Sequence, residues 1–134
     1  MIVGTTTEET PIIFTGSWID GTGAATSSYA AYLRQVQGEN DDNIRLEILG
    51  DSLQAMGAFF VSFGEYLRGE DVYAVANGLQ SLGAGIEAIA GNYELANRTE
   101  ARLLALIGSS IQALGSNFFA VTVTKELLQD EKAD

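Results

Sequence analysis

The chain has 134 residues, of which 46% are hydrophobic, and this is enough to build the core of one ordinary domain. It contains no His and no Cys, which excludes a histidine base, a cysteine nucleophile, a disulfide and the commonest zinc and iron–sulfur ligands. Its 18 acidic and 7 basic residues give a net charge of −11. Contacts with nucleic-acid phosphates or anionic lipid head groups are therefore disfavoured, and we expect no nucleic-acid partner.

The first segment, residues 1–15, is rich in Thr and Ile and carries the single proline, Pro11. We expect it to form an extended N-terminal arm. It lacks the basic region and the long apolar run of a secretory signal, so we expect no signal peptide and, by default, a cytoplasmic location.

A motif of eight residues with a small residue at each end recurs along the chain. The clearest copies are 50–57, 76–83 and 108–115, and a more diverged copy is 16–23. When the copies are aligned on Gln54, Gln80 and Gln112, large apolar residues fall at −5, −1, +2, +6 and +9. Steps of three and four residues are typical of one face of an α-helix, so the sequence predicts one helix for each copy.

Residues that start and stop helices bracket the four copies. One of Asn40, Asp41 or Asp42 is expected to cap the second helix and Asp71 the third, while residues 97–100 have the spacing of a capping box before the fourth. Gly38 and Gly69 are expected to end the first two helices. The short connections predict an all-α, antiparallel four-helix bundle spanning 16–129, with a frayed tail at 130–134. The predicted helices are 16–37, 43–68, 71–95 and 98–129.

Small residues recur every seven positions beside the apolar stripe. Because a mid-helix glycine costs about 1 kcal/mol relative to alanine, close approach of neighbouring helices is the simplest compensation. The residues expected to form these helix-packing or interface contacts are Gly50, Gly57, Gly64, Gly83, Gly108 and Gly115.

The three glutamines each follow a stripe position, so they are expected at the boundary of the core. There the amides of Gln54, Gln80 and Gln112 can bond to a neighbouring helix or subunit and fix its register. The alternative is that they are exposed helix formers kept by duplication. The aromatic residues are expected to be core or interface anchors; they are Trp18, Phe59, Phe60, Phe63, Phe118 and Phe119.

The face opposite the stripe is small and uncharged, whereas a soluble bundle usually carries Lys and Glu there. We favour self-association through Gly/Ala/Ser-rich faces, with the chain itself as partner. The alternative is membrane association, since the 22 uncharged residues between Arg102 and Lys125 would span about 33 Å as a helix. That stretch also contains three Ser, two Thr, one Asn and one Gln, a heavy polar load for a membrane span. A third interpretation is a monomer kept soluble by acidic loops.

Two other patterns are only weak indications of a ligand-binding site. Residues 21–26 resemble a dinucleotide-binding loop but lack its third glycine, and residues 39–43 form an oxygen-rich cluster without the ligand pattern of a calcium loop. We therefore expect no cofactor, no metal site and no catalytic residue. The protein is not expected to be an enzyme.

The motif Gly-x-x-φ-Gln-Ala-φ-Gly, where φ is a large apolar residue, resembles a family of uncharacterised, repetitive small proteins of spore-forming Gram-positive bacteria. The likeness covers residues 16–124 through the four copies, and the first copy departs from it at Asp20 and Thr22. The resemblance implies a bacterial, non-enzymatic protein and gives no established activity.

Overall fold

The computed structural model describes residues 9–133, with side chains from residue 11 onward. Within this range the chain forms four α-helices and no strand, which confirms the predicted all-α fold. The connections at residues 38–40, 68–70 and 96–100 are short and reverse the chain each time, so successive helices are antiparallel. The helices are α1 (Glu9–Gln37), α2 (Asp41–Leu67), α3 (Asp71–Leu95) and α4 (Ala101–Ala133).

Both ends of the helical region differ from the sequence prediction. Residues 9–15, expected in an extended arm, form the first turns of α1, while residues 1–8 lie outside the described range. Pro11 is compatible with this position because the N–H groups in the first turn of a helix have no intrahelical acceptor. The N–H that proline lacks would therefore make no helical hydrogen bond there. The tail expected to fray at residue 130 is helical to Ala133. Lys132 lies in that last turn, where a positive charge interacts favourably with the free carbonyls.

Gly38 and Gly69 end the first two helices as predicted. Their φ angles are 81° and 76°, a left-handed conformation that glycine adopts without steric penalty. At the second of these turns the N–H of Glu70 donates to the carbonyl of Glu65 at 2.9 Å, which satisfies one of the last carbonyls of α2.

The predicted N-caps are confirmed only for α2. The Asn40 side chain accepts a hydrogen bond from the N–H of Asn43 at 2.9 Å. For α3 the prediction is wrong, because Asp71 is the first helical residue and Glu70 precedes it without a side-chain capping bond.

The capping box expected at residues 97–100 does not form. Asn97 has a φ of 54° and ends α3 instead, as the N–H of Arg98 donates to the carbonyl of Tyr93 at 2.9 Å. The Glu100 carboxylate pairs with Arg98 at 3.1 Å. Because residues 97–100 form the turn that follows α3, α4 begins at Ala101, three residues later than predicted.

The helices contact one another in chain order: α1 with α2, α2 with α3, and α3 with α4. Among residues 9–133, α1 makes no backbone approach to α4. The bundle is therefore an open row whose two end helices each have an uncovered flank.

Small residues fill the spaces between the helices. The apolar stripe, which the bundle prediction would turn toward the core, is instead partly exposed, with 47% of Met56, 54% of Leu82 and 60% of Leu114 accessible. The physical reason is the closeness of the backbones, which leaves no room for large side chains between them. The buried apolar residues of the described range are Ala30, Ile44, Ala58, Val61, Ala74, Ala76, Ala84, Ala88 and Ala90.

Candidate interaction surfaces

Glycines of α1 and α2 face each other where these helices meet. A Cβ added to Gly23 would lie 2.6 Å from the carbonyl oxygen of Gly50, and one added to Gly16 would lie 2.8 Å from that of Gly57. Real Cβ atoms do not approach other atoms this closely, so the backbone separation requires glycine. Gly64 is buried further along α2.

The contact between α3 and α4 has the same construction. A Cβ at Gly83 would lie 2.5 Å from the amide nitrogen of Gln112 and 2.6 Å from the carbonyl oxygen of Gly108, and one at Gly115 would lie 2.7 Å from the carbonyl oxygen of Ala76. These glycines therefore pack helices within one chain. They are not available for contacts between subunits.

Serine hydroxyls connect α2 to α3. Ser62 Oγ donates to the carbonyl of Ala74 at 2.6 Å, and Ser81 Oγ donates to the carbonyl of Ala55 at 2.7 Å. Both serines belong to the small, uncharged faces predicted on the outside of these helices, so α2 and α3 cover each other's faces. The equivalent face of α4 is exposed; it consists of Ala113, Ser116 and Ala120.

Two of the three glutamines take part in a network that joins three helices. Gln112 Nε2 of α4 donates to Gln54 Oε1 of α2 at 3.1 Å, and Gln54 Nε2 donates to Ser27 Oγ of α1 at 3.2 Å. Ser27 Oγ in turn donates to Asp51 Oδ1 at 2.7 Å. Gln80 packs against the backbone at Gly115 without an amide hydrogen bond to the described residues. A role in fixing register remains a prediction for all three.

Arg34 of α1 is the centre of an ion-pair cluster on the same side of the row. Its Nη2 lies 2.9 Å from carboxylate oxygens of both Glu39 and Glu94, and its Nη1 pairs with Glu47. Desolvation lowers the pKa of the guanidinium, but hydrogen bonds to Glu39 and Glu47 and the charges of Glu47 and Glu94 outweigh it, so the pKa is raised. The cluster ties the end of α1 to α2 and α3.

Glu87 of α3 has the most perturbed carboxyl on this side. Partial burial, reinforced by the nearby charges of Asp51 and Glu47, raises its pKa to about 7. Burial also raises the pKa of Asp51, against the hydrogen bond from Ser27. Both shifts follow from placing carboxylates side by side in a partly enclosed space.

We call this space the polar groove. Its volume is about 780 Å³. The sequence analysis did not identify it, although groove residues spaced by seven, such as Glu47 and Gln54 or Glu87 and Glu94, were a visible signal. Across residues 9–133 no three acidic side chains are grouped closely enough to hold a metal ion. The side chains that line it include Ser27, Arg34, Glu47, Asp51, Gln54, Glu87, Glu94 and Gln112.

The opposite side of the row carries large apolar residues. Met56, Leu82 and Leu114 each lie two residues after a glutamine, which places them about 200° around the helix from the groove. Residues seven positions before and after each of them lie on the same face and are exposed too. We call this surface the apolar side; it comprises Leu49, Met56, Phe63, Val75, Leu82, Ile89, Ile107, Leu114 and Val121.

The aromatic residues expected as anchors lie mostly on the surface. Phe60 is half-buried, and the remaining five, including Trp18 and Phe59, are exposed, so the prediction that they anchor the core is wrong. Phe59 stacks on Phe63 with ring centroids 6.5 Å apart. The role of the six aromatic residues as interface anchors stays a prediction.

Of the helices in the described range, α4 alone is long and apolar enough to cross a membrane by length and composition. Only 11% of its most apolar stretch is buried. The reason is its position at the end of the row, where α3 covers just one flank.

The oxygen-rich segment 39–43 has structural uses in this fold. Asn40 caps α2, and the Nδ2 of buried Asn43 donates to the carbonyl of Gly38 at 3.3 Å. Glu39 pairs with Arg34. The segment thus holds the turn between α1 and α2.

The fold and its surfaces define an all-α protein whose helices pack through glycine, alanine and serine. A model of a family of unknown function, DUF6944, matches residues 1–120, so the chain belongs to that family. No match to the chain was found among curated proteins or among solved structures.

Proposed function

We propose that this chain is a non-enzymatic structural protein that associates with copies of itself. The observation that supports the proposal is the position of its large apolar residues, which lie outside rather than between the helices. Contiguous exposed apolar surface of this kind marks an interaction site in soluble proteins. We further propose that the family is the bacterial, Leu-Gln-Ala-φ-Gly type that the sequence resembles.

The groove supports a structural role over a catalytic one. Arg34 is engaged by three carboxylates, and Asp51 accepts a hydrogen bond from Ser27. Glu87, the carboxyl with the largest pKa shift, is perturbed by partial burial and by the neighbouring charges of Asp51 and Glu47. These contacts join helices.

Sedimentation velocity of the purified chain over a hundredfold range of concentration tests the proposal. We expect a mass of at least twice 14.2 kDa. A monomer at every concentration would show that the chain does not associate.

A second candidate, membrane association, is favoured by α4, the helix with the length and composition of a membrane span. It predicts that the chain floats with phosphatidylcholine vesicles and needs detergent for recovery. Clean recovery in buffer without detergent, with no flotation, would remove this candidate.

A further inference from the structure

The apolar side consists of uncharged residues on one side of three neighbouring helices. Its nine residues come from α2, α3 and α4, and the charges of these helices lie in the groove or near the helix ends. Each helix contributes three residues spaced by seven, the arrangement in which side chains of one helical layer fit between those of another. The surface is therefore shaped for a second helical layer.

We propose that the apolar side of one chain packs face to face on the apolar side of a second copy, giving a two-fold symmetric dimer with the two polar grooves on the outside. This inference rests on the proposed self-association and names the surface that carries it. The same patch meets itself, so the contact closes at two chains and does not continue into a filament.

The area of the surface fits this partner. The nine residues of the apolar side are on average about half exposed, so at roughly 200 Å² for a large apolar side chain they present roughly 900 Å² per chain. A stable protein–protein interface of standard size buries about 800 Å² of each partner. The apolar side of one chain is therefore large enough to form the contact with a second copy.

The helix lengths favour a protein partner over lipid. Between Asp51 and Glu65 there are 13 uncharged residues, which span about 20 Å as a helix, less than the 30 Å of a hydrocarbon core. The corresponding stretch between Asp71 and Glu87 has 15 residues, or about 22 Å. Two of the three helices that form the apolar side are therefore poorly matched to a bilayer.

The experiment compares two Leu→Glu variants that add the same charge. Leu82 lies on the apolar side in the middle of the row, and Leu106 lies on the free flank of α4, seven residues before Ala113. They are 54% and 64% exposed, so neither substitution removes a core contact. Far-UV circular dichroism of each variant checks that the helices are retained.

Analytical ultracentrifugation then gives the dimer dissociation constant of each protein. We expect Leu82→Glu to raise it at least about 100-fold, because two uncompensated carboxylates enter an apolar contact, and Leu106→Glu to leave it within about threefold. A dimer that survives Leu82→Glu but dissociates with Leu106→Glu overturns the face-to-face arrangement and keeps self-association. A monomeric wild type overturns both. Wild-type protein that leaves the dimer for phosphatidylcholine vesicles assigns the apolar side to lipid and overturns the proposed dimer.

Discussion

The close approach of α3 and α4 makes the effect of one methyl group predictable. Alanine at Gly83 would place its Cβ 2.5 Å from the amide nitrogen of Gln112 and 2.6 Å from the carbonyl oxygen of Gly108. Both atoms are backbone, so the helices must move apart by about 1 Å to reach ordinary contact, with loss of packing along their length.

Two opposing contributions determine how much Gly83→Ala changes the free energy of unfolding. Replacing a mid-helix glycine by alanine stabilises a helix by about 1 kcal/mol, and overpacking a tight contact costs about 1–3 kcal/mol or more. Because two rigid backbone atoms are involved, we expect the upper part of that range. Gly83→Ala should therefore lower the free energy of unfolding by about 1–2 kcal/mol.

Gly85 of the same helix supplies the matched control. A Cβ there would meet only the Cβ of Ala55, at 3.9 Å, which is ordinary contact. Gly85→Ala should raise the free energy of unfolding by up to about 1 kcal/mol through helix propensity. Urea unfolding followed by circular dichroism, at one fixed protein concentration, measures both variants. Equal stabilisation by the two alanines would refute the claim that Gly83 is needed for close packing.

Three further changes test other parts of the structure. Since the folded state raises the Glu87 pKa from 4.5 to about 7, this group's contribution to stability is greatest below pH 4.5 and falls as pH rises through 7. Glu87→Gln should thus stabilise the protein at pH 8 by about 1–2 kcal/mol, after discounting for solvent screening, with little gain at pH 4; the same gain at both values would contradict this. Asn40→Ala should cost about 1 kcal/mol by removing the cap of α2, and an unchanged urea midpoint would argue against the cap. Arg34→Met should cost about 2 kcal/mol by leaving Glu47 and Glu94 without their shared cation, and the loss should shrink at pH 4; a loss that persists there would point to packing instead.

The sequence by itself determined the number of helices and five of their eight boundaries to within two residues. Steps of three and four between large apolar residues require a helix, and Gly38 and Gly69 end helices because only left-handed backbone fits those turns. Local signals were less reliable where one residue had two possible uses. Asn97 is of a residue type favoured at N-caps, but in the turn after α3 it adopts a left-handed conformation and does not cap α4.

Which face is inside was decided only by tertiary structure. A stripe such as Met56, Leu82 and Leu114 has the same pattern whether it faces a core, a partner or lipid, because periodicity records that a face is apolar and not what covers it. Once glycines bring the backbones together, the narrow space between helices admits alanine and serine and excludes the large side chains. The polar groove likewise depends on distances between helices, as between Arg34 and Glu94, that no spacing along the chain contains.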